Sequence, residues 1–130
     1  MLEGGCHCGA VRFRMPAEAV HSSLCHCDDC KRCAGAPLVA WTAVRQEQLE
    51  VEGEPRTYRS SEHAVRSFCG RCGTGLFYVN EQVLPGLVDV QVAALDDPQA
   101  LPPQLHVQYA DRIGWIEGVF ELPKFDRYPG

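Results

Sequence analysis

Short runs in which apolar and polar residues alternate recur along the chain and predict β-strands. The clearest run covers residues 10–15, where Val11, Phe13 and Met15 would share one face of a strand while two arginines take the other. Pro16 ends this run. Shorter runs of the same kind predict further strands at residues 38–44, 57–59, 65–68, 75–79, 87–93, 106–109 and 113–121.

Helical patterns are few and short. Residues 28–34 are predicted to form a short helix, because Gly35 can end it and Pro37 cannot continue it. Residues 46–49 are a second candidate for a helical turn. Parallel strands need long helical crossovers, and the sequence offers none. We therefore predict a mainly β fold built from small antiparallel sheets.

The size and charge of the chain limit the number of domains and the kinds of partner to expect. With 130 residues and 14.4 kDa it has the size of one domain, so residues 1–130 are predicted to form a single unit. No apolar stretch approaches the roughly 20 residues that span a bilayer, so no membrane partner is expected. The net charge of −5 and the pI near 5.5 argue against nucleic acid, whose phosphates need clustered Lys and Arg.

The eight cysteines are the unusual part of the composition. The first residues carry neither the basic region nor the apolar region of an export signal, so we expect a cytoplasmic protein. Because structural disulfides are rare in the cytoplasm, closely spaced cysteines there more often bind metal or do chemistry. The question for the site is which of these cysteines share a metal ion.

The cysteines occur in three groups along the chain: Cys6 with Cys8, Cys25 with Cys27, Cys30 and Cys33, and Cys69 with Cys72. The last group is the most specific signal, because a C-x-x-C turn delivers two thiolates to one zinc ion. Gly70 and Gly73 permit the tight backbone that wraps sulfur around a metal, and Arg71 offsets the charge of the thiolates. A closed tetrahedral site then needs two more ligands from elsewhere.

Cys6 and Cys8 are the other isolated pair of cysteines. We therefore group them with Cys69 and Cys72 in one structural zinc site with four sulfur ligands. Such a site would tie the first residues of the chain to its middle. The alternative is a set of buried or redox-active thiols without metal.

The middle group of cysteines offers a different kind of site. Cys25, Cys27 and Cys30 supply three thiolates within six residues, which leaves one tetrahedral position for water or a substrate atom. Because an open position is typical of a catalytic metal, these three residues are the predicted catalytic site. Cys33 is either a fourth thiolate that closes the site or a small buried residue on the next turn, and we favour the second. A degraded metal site and a thiol redox centre are the alternatives.

Other side chains carry weaker signals. His7 and His26 each lie between two cysteines, where the backbone turns the middle residue away, so we expect them beside the metal sites or in solvent. His106 is expected to be packed or hydrogen bonded rather than catalytic. Trp115, next to Gly114, could line the mouth of a ligand site. Six basic side chains are candidates for binding the carboxylates of an anionic substrate: Arg12, Arg14, Lys31, Arg32, Arg66 and Arg112.

Three motifs together resemble the glutathione-dependent formaldehyde-activating enzyme family, which shares the centromere protein V-like domain. They are Gly5-Cys6-His7-Cys8-Gly9, Cys25-His26-Cys27-Asp28-Asp29-Cys30 and Arg66-Ser67-Phe68-Cys69-Gly70-Arg71-Cys72-Gly73-Thr74. Later landmarks of the family match Leu95-Asp96-Asp97-Pro98, His106, Trp115 and Leu122-Pro123-Lys124-Phe125. The resemblance thus spans about residues 4–126. Cys33 departs from the pattern, since family members usually carry a small residue other than cysteine there.

The resemblance implies a β-tent fold that is held together by two zinc ions. It implies a structural zinc at Cys6, Cys8, Cys69 and Cys72 and a catalytic zinc at Cys25, Cys27 and Cys30. The implied activity is that of a carbon–sulfur lyase acting on a thiol–aldehyde adduct such as S-(hydroxymethyl)glutathione, with a small thiol such as glutathione as the partner. We expect the thiol to lose its proton at the open zinc position and to attack the carbonyl carbon. The alternatives are a zinc-stabilised binding module without turnover and a thiol redox or metal sensor.

Overall fold

The computed structural model describes all residues 1–130, which form ten strands, one α-helix and four 3-10 helices. The strands are β1 (Leu2–Gly5), β2 (Arg12–Met15), β3 (His21–Cys25), β4 (Val39–Arg45), β5 (Glu50–Glu52), β6 (Arg56–Arg59), β7 (Ala64–Phe68), β8 (Gly75–Asn80), β9 (Leu87–Gln91) and β10 (Leu105–Val107). Helix α1 covers Asp28–Ala34, and the 3-10 helices cover Gln46–Gln48, Val92–Ala94, Tyr109–Asp111 and Gly114–Glu121. The prediction of a mainly β chain is confirmed. None of the helices has both the length and the apolar character needed to cross a membrane.

The strands form two sheets of unequal size. One is a three-stranded antiparallel sheet in the order β1-β2-β5. The other has seven strands in the order β10-β3-β4-β9-β8-β7-β6, and all its pairs are antiparallel except β10 with β3. Antiparallel pairing therefore dominates both sheets, as predicted. The second is larger and gains a parallel edge strand, which the long connection between β3 and β10 permits.

The main hydrophobic core lies between the two sheets. Val11, Phe13 and Met15 point into it from the small sheet, as their alternation predicts, and each is at most 2% exposed. Phe13 meets Phe77 of the large sheet edge to face, with ring centroids 5.3 Å apart. Burial of such a side chain stabilises the fold by about 1.5–3 kcal/mol. These contacts fix the small sheet, and with it the first pair of cysteines, against the large sheet.

The other face of the large sheet carries polar and aromatic side chains. Ala43, Asp89, Tyr78 and Arg66 are direct partners across four neighbouring strands, so their side chains share this face. Helix α1 packs against β4 here. A second, smaller core forms from Cys25, Cys30, Val39 and Trp41. The middle group of cysteines therefore belongs to this polar face and not to the main core.

Differences from the predicted elements occur where the pattern is weak. Residues 113–121 form the 3-10 helix Gly114–Glu121 instead of a strand, because two glycines interrupt the run and no neighbouring strand pairs with it. β10 ends at Val107 because Gln108 adopts a left-handed conformation with φ of 53°. The pattern of apolar and polar residues does not predict β1, β3 or β5. In β3 the buried residue Ser22 hides the alternation, and its hydroxyl is satisfied by that of Thr42 at 3.0 Å.

Candidate metal centre

One half of the metal centre is a tight loop that follows β7. Two hydrogen bonds close its backbone, from the N–H of Cys69 to the carbonyl of Thr74 (2.9 Å) and from the N–H of Gly73 to the carbonyl of Cys69 (2.8 Å). Gly73 has a φ of +82°, a conformation that favours glycine. Within this loop Cys69 is buried and Cys72 is exposed. The loop therefore has one sulfur on the side of the core and one on the side of the solvent.

The other half is the turn between β1 and β2. The N–H of Cys6 donates to the carbonyl of Val11 at 3.0 Å, and the N–H of Gly9 donates to the carbonyl of Cys6 at 3.1 Å. The N–H of His7 donates to Oγ1 of Thr74 at 3.0 Å, although 67 positions separate the two residues in sequence. This hydrogen bond ties the turn to the loop after β7. The two pairs of cysteines thus face each other.

The four sulfur atoms of the two halves form one compact group. The Sγ atoms of Cys6, Cys8, Cys69 and Cys72 all lie within 4.8 Å of one another, with 3.6 Å between Cys6 and Cys8 and 3.8 Å between Cys8 and Cys69. Tetrahedral sulfurs at a zinc–sulfur distance of about 2.3 Å are about 3.8 Å apart, so the group fits a zinc ion. No other three His, Cys, Asp or Glu side chains in the structure gather this way. The structure therefore brings together the four residues that the sequence groups into one site.

Backbone amides surround the buried sulfurs of this group. The N–H of Val11 donates to Sγ of Cys6 at 3.2 Å. The N–H groups of Arg71 and Cys72 both donate to Sγ of Cys69, at 3.3 and 3.4 Å. Because hydrogen bonds to the charged form of a group favour that form, these amides stabilise thiolates. The fold thus prepares the sulfurs for a cation.

The thiols of the group differ in their acidity. The hydroxyl of Thr74 is the main cause that lowers the pKa of Cys72 to about 5. The pKa of Cys8 rises to about 11 although the backbone of Ala10 donates to it, because desolvation and the three neighbouring sulfurs oppose its charge. Sulfurs this close repel one another as thiolates unless a cation neutralises them. A divalent metal ion would remove that conflict by binding all four as thiolates.

The three predicted catalytic cysteines lie where β3 meets α1. Cys25 ends β3 and is buried, Cys27 immediately precedes α1 and is half-buried, and Cys30 lies within α1 and is buried. The side chains of Cys25 and Cys30 both belong to the smaller core on this face. The three sulfurs do not form a cluster as compact as that of the four-cysteine group. An open zinc site with three sulfur ligands therefore stays a prediction.

Arg66 of β7 is the basic side chain that reaches this second group. Both of its terminal nitrogens donate to Sγ of Cys30 at 3.5 Å, and its Nε donates to the hydroxyl of Ser60 at 2.9 Å. Its guanidinium also lies 4.7 Å from the ring centre of Tyr78. Interaction with the thiol of Cys25, followed by the contact with Arg66, lowers the pKa of Cys30 to about 6, while interaction with Cys30 and burial raise the pKa of Cys25. Cys30 is thus the thiolate of the pair near neutral pH.

A cavity of about 510 Å³ opens between the two groups of cysteines. Cys30 and Cys33 line one side of it, and Gly70 and Gly73 of the loop after β7 line another. Aromatic and polar side chains complete the wall, among them Trp41, Phe68, Phe77, Arg56, Arg66 and Gln91. The guanidinium groups can bind a small anionic molecule, and the aromatic walls can shield it from water. Cys33 is exposed in this wall, so the expectation that it is buried is wrong.

The histidines and Trp115 have no direct part in the cavity. His26 is fully buried, and its Nε2 lies 2.9 Å from Nδ1 of His106, which is hydrogen bonded as expected. The ring of Tyr109 packs edge to face on His26. His7 is exposed to solvent. Trp115 is 58% exposed and does not line the cavity.

Trp41 and Tyr78 lie beside the second group of cysteines, and Asp89 lies next to Tyr78 in the sheet, although none of the three had a predicted role in the site. All three project from central strands onto the polar face of the large sheet. In the sequence, Trp41 and Tyr78 look like ordinary core aromatics. Only the pairing of strands places them beside Cys30. Asp89 could have been noticed, because it is a lone carboxylate between Val88 and Val90.

Comparisons with known proteins find relatives over most of the chain. The profile of a family described as glutathione-dependent formaldehyde-activating enzyme matches residues 1–111. A Halomonas elongata protein, provisionally named as such an enzyme, is 32% identical over 127 residues, which cover 90% of this chain and 80% of that protein. An uncharacterized lyase of Schizosaccharomyces pombe is 32% identical over 76 residues, 58% of this chain and 56% of the lyase.

A solved structure supports the fold. The crystal structure of a Rhodobacter sphaeroides protein matches with a TM-score of 0.64 at 24% sequence identity, and the match covers 81% of this chain and 99% of that one. At this level of identity the likeness concerns the fold alone. The mainly β architecture that carries the two groups of cysteines is therefore shared with a protein of known structure.

Proposed function

We propose, from the premise that the chain belongs to the glutathione-dependent formaldehyde-activating enzyme family, that it is a zinc-dependent carbon–sulfur lyase. Its substrate is an adduct of a small thiol with an aldehyde, such as S-(hydroxymethyl)glutathione. The observation that carries the proposal is the cavity whose wall holds the thiol of Cys30 together with the guanidinium groups of Arg56 and Arg66. The lyase name of the relative in Schizosaccharomyces pombe is consistent with this reaction class.

We further propose that the two groups of cysteines hold two zinc ions with different roles. The spacing of the four sulfurs supports a structural zinc held by Cys6, Cys8, Cys69 and Cys72. We assign a catalytic zinc to Cys25, Cys27 and Cys30, whose thiol donors suit zinc and whose negative charge Arg66 offsets. When bound there, zinc supplies a lowered pKa for an incoming thiol and a Lewis acid for its partner.

The residues of the chain bind and orient the thiol. Arg56 and Arg66 attract the carboxylates of glutathione, and the aromatic walls shield its sulfur from water. The hydrogen bonds from Arg66 keep Cys30 ionised and in place. In the forward direction the thiolate sulfur bonds to the carbonyl carbon, the carbonyl electron pair moves to oxygen, and that oxygen takes a proton. Cleavage of the adduct reverses these steps.

Two properties of the working protein belong to the same proposal. We place it in the cytoplasm, because ligand thiols need a reducing compartment to stay free of disulfides. We also take residues 1–130 as one functional unit, because the cavity joins residues of α1 to residues of β6 and β7.

Exchange of formaldehyde between its free form and its glutathione adduct tests the proposal. The rate can be followed by NMR with ¹³C-labelled formaldehyde, and zinc-loaded protein is expected to accelerate it. Cys27→Ser should slow the exchange at least tenfold while the four-cysteine site keeps its metal and the fold. Cys33→Ser is the matched control on the cavity wall and should stay close to wild type. A wild-type rate no higher than that of the protein-free solution would contradict the proposal.

A further inference from the structure

A buried carboxylate lies on the polar face of the large sheet. Asp89 of β9 pairs with Ala43 on one side and Tyr78 on the other, and it is 7% exposed. Its Oδ1 atom has no hydrogen-bond partner. A buried carboxylate without partners costs stability, and in most folds such a position holds an apolar residue. The packing of the sheet gives no reason for this one.

The nearest basic group is His21 of β3. Its Nε2 atom lies 4.0 Å from Oδ1 of Asp89, across the small side chain of Ala43, and its imidazole is one-third exposed. His21 therefore lies between Asp89 and solvent as a partly exposed polar group. The titratable and charged groups that face Asp89 from the neighbouring elements are His21, Arg45, Tyr78, Arg66 and Cys30.

Asp89 and the second group of cysteines influence each other electrostatically. Burial is the main cause that raises the pKa of Asp89 to about 7, and negative charge on Cys30 raises it further in the same direction. Coupling between two sites is reciprocal. Additional negative charge among the cysteines must therefore increase the affinity of Asp89 for a proton, and a protonated Asp89 must favour that charge.

We propose that Asp89 takes up the proton that a thiol loses when its sulfur binds beside Cys25, Cys27 and Cys30, and that His21 connects this carboxylate to solvent. The inference rests on the proposed function. In the binding step R–SH and the carboxylate of Asp89 become R–S⁻ and a carboxylic acid, so the charge of the site does not change. When the sulfur then adds to an aldehyde, the new alkoxide takes a proton and Asp89 returns one. Asp89 acts through the charge of the site, as a positioning residue.

Proton counting during thiol binding tests the inference without turnover. Calorimetric titration of zinc-loaded protein with glutathione, in buffers of different ionisation enthalpy, gives the number of protons released per thiol bound. At pH 7 wild type should release fewer protons than Asp89→Asn, by up to about half a proton, because the free carboxylate is then about half ionised. Asp126→Asn, which removes an exposed carboxylate, should match wild type.

The outcomes separate the inference from the proposed function. Equal proton release by wild type and Asp89→Asn, with glutathione binding to both, overturns the inference and leaves the lyase proposal intact. Failure of glutathione to bind to either protein overturns both. Asp89→Glu keeps a carboxylate and should restore the low proton release. It also provides the comparison if the asparagine variant does not fold. A glutamate variant that releases as many protons as expected for a site without a carboxylate at this position would refute the role of Asp89.

Discussion

Replacing Asp89 by asparagine should make the protein more stable at neutral and alkaline pH. Asparagine has the same shape as aspartate but cannot ionise, so it removes the cost of a buried charge while it fills the same space. That cost exists only where the carboxylate is ionised. The pKa of Asp89 is raised from 3.8 to about 7, chiefly by burial. The native state therefore binds this proton more tightly than the unfolded chain does, and stability falls as pH rises.

The magnitude follows from the two pKa values. Below pH 3.8 the carboxyl group is protonated in both states and carries no penalty. Between that pH and about 7 the penalty grows, and above 7 it levels off near 4 kcal/mol, because the shift from 3.8 to about 7 is worth about 1.4 kcal/mol per pH unit. Between pH 5.5 and pH 8 the expected change is about 2 kcal/mol.

Urea unfolding of wild type and Asp89→Asn at pH 5.5 and pH 8 measures this change. The relevant quantity is the free-energy difference between the two proteins at pH 8 minus the same difference at pH 5.5. Costs of the amide that do not depend on pH cancel, and so does the pH dependence of zinc binding common to both proteins. We expect the variant to gain about 2 kcal/mol on wild type over this interval. An unchanged difference would refute the assignment of a buried, ionisable Asp89.

Other predictions concern the metal centre, the cavity and the core. Cys69→Ser should lose both the zinc ion and the folded structure, because structural zinc supplies roughly 10–16 kcal/mol of apparent folding free energy. Cys33→Ser should keep both. Circular dichroism combined with metal analysis checks this. A strong chelator should likewise unfold wild type, and an unchanged spectrum after metal removal would contradict the structural role. Arg56→Ala should raise KM for glutathione roughly tenfold with little change in kcat, while Arg59→Ala, on the same strand but outside the cavity, should leave both unchanged. Phe13→Ala should lower the urea-measured free energy of unfolding by about 3–5 kcal/mol.

The alternation of apolar and polar residues and the helix-capping signals predict the elements in which these patterns are clear. α1 spans Asp28–Ala34 as the capping signals indicate, since Gly35 ends it with a φ of 67°. β2 shows the alternation of one buried face. The strand predicted at residues 113–121 fails because a strand also needs a neighbour, and strand pairing is a property of the whole chain. The size of the second sheet could not be read from the sequence for the same reason.

The candidate site likewise has a part that the sequence predicts and a part that it does not. Cysteine spacing identifies Cys6, Cys8, Cys69 and Cys72, because ligand geometry leaves few ways to complete a tetrahedron. The spacing says nothing about what surrounds the sulfurs. Arg66 stood among six candidate basic side chains, and only the register of β7 against β8 places it on Cys30. The exposure of Cys33 likewise depends on how α1 lies against the sheet.

Metal analysis combined with X-ray absorption at the zinc edge tests the central claim most directly, namely that one group of sulfurs is closed around its metal and the other is open. The account predicts two zinc ions per chain with an average of about 3.5 sulfur neighbours, rising to about 4 when glutathione is added. One zinc per chain with four sulfurs, and no change on adding the thiol, would contradict it.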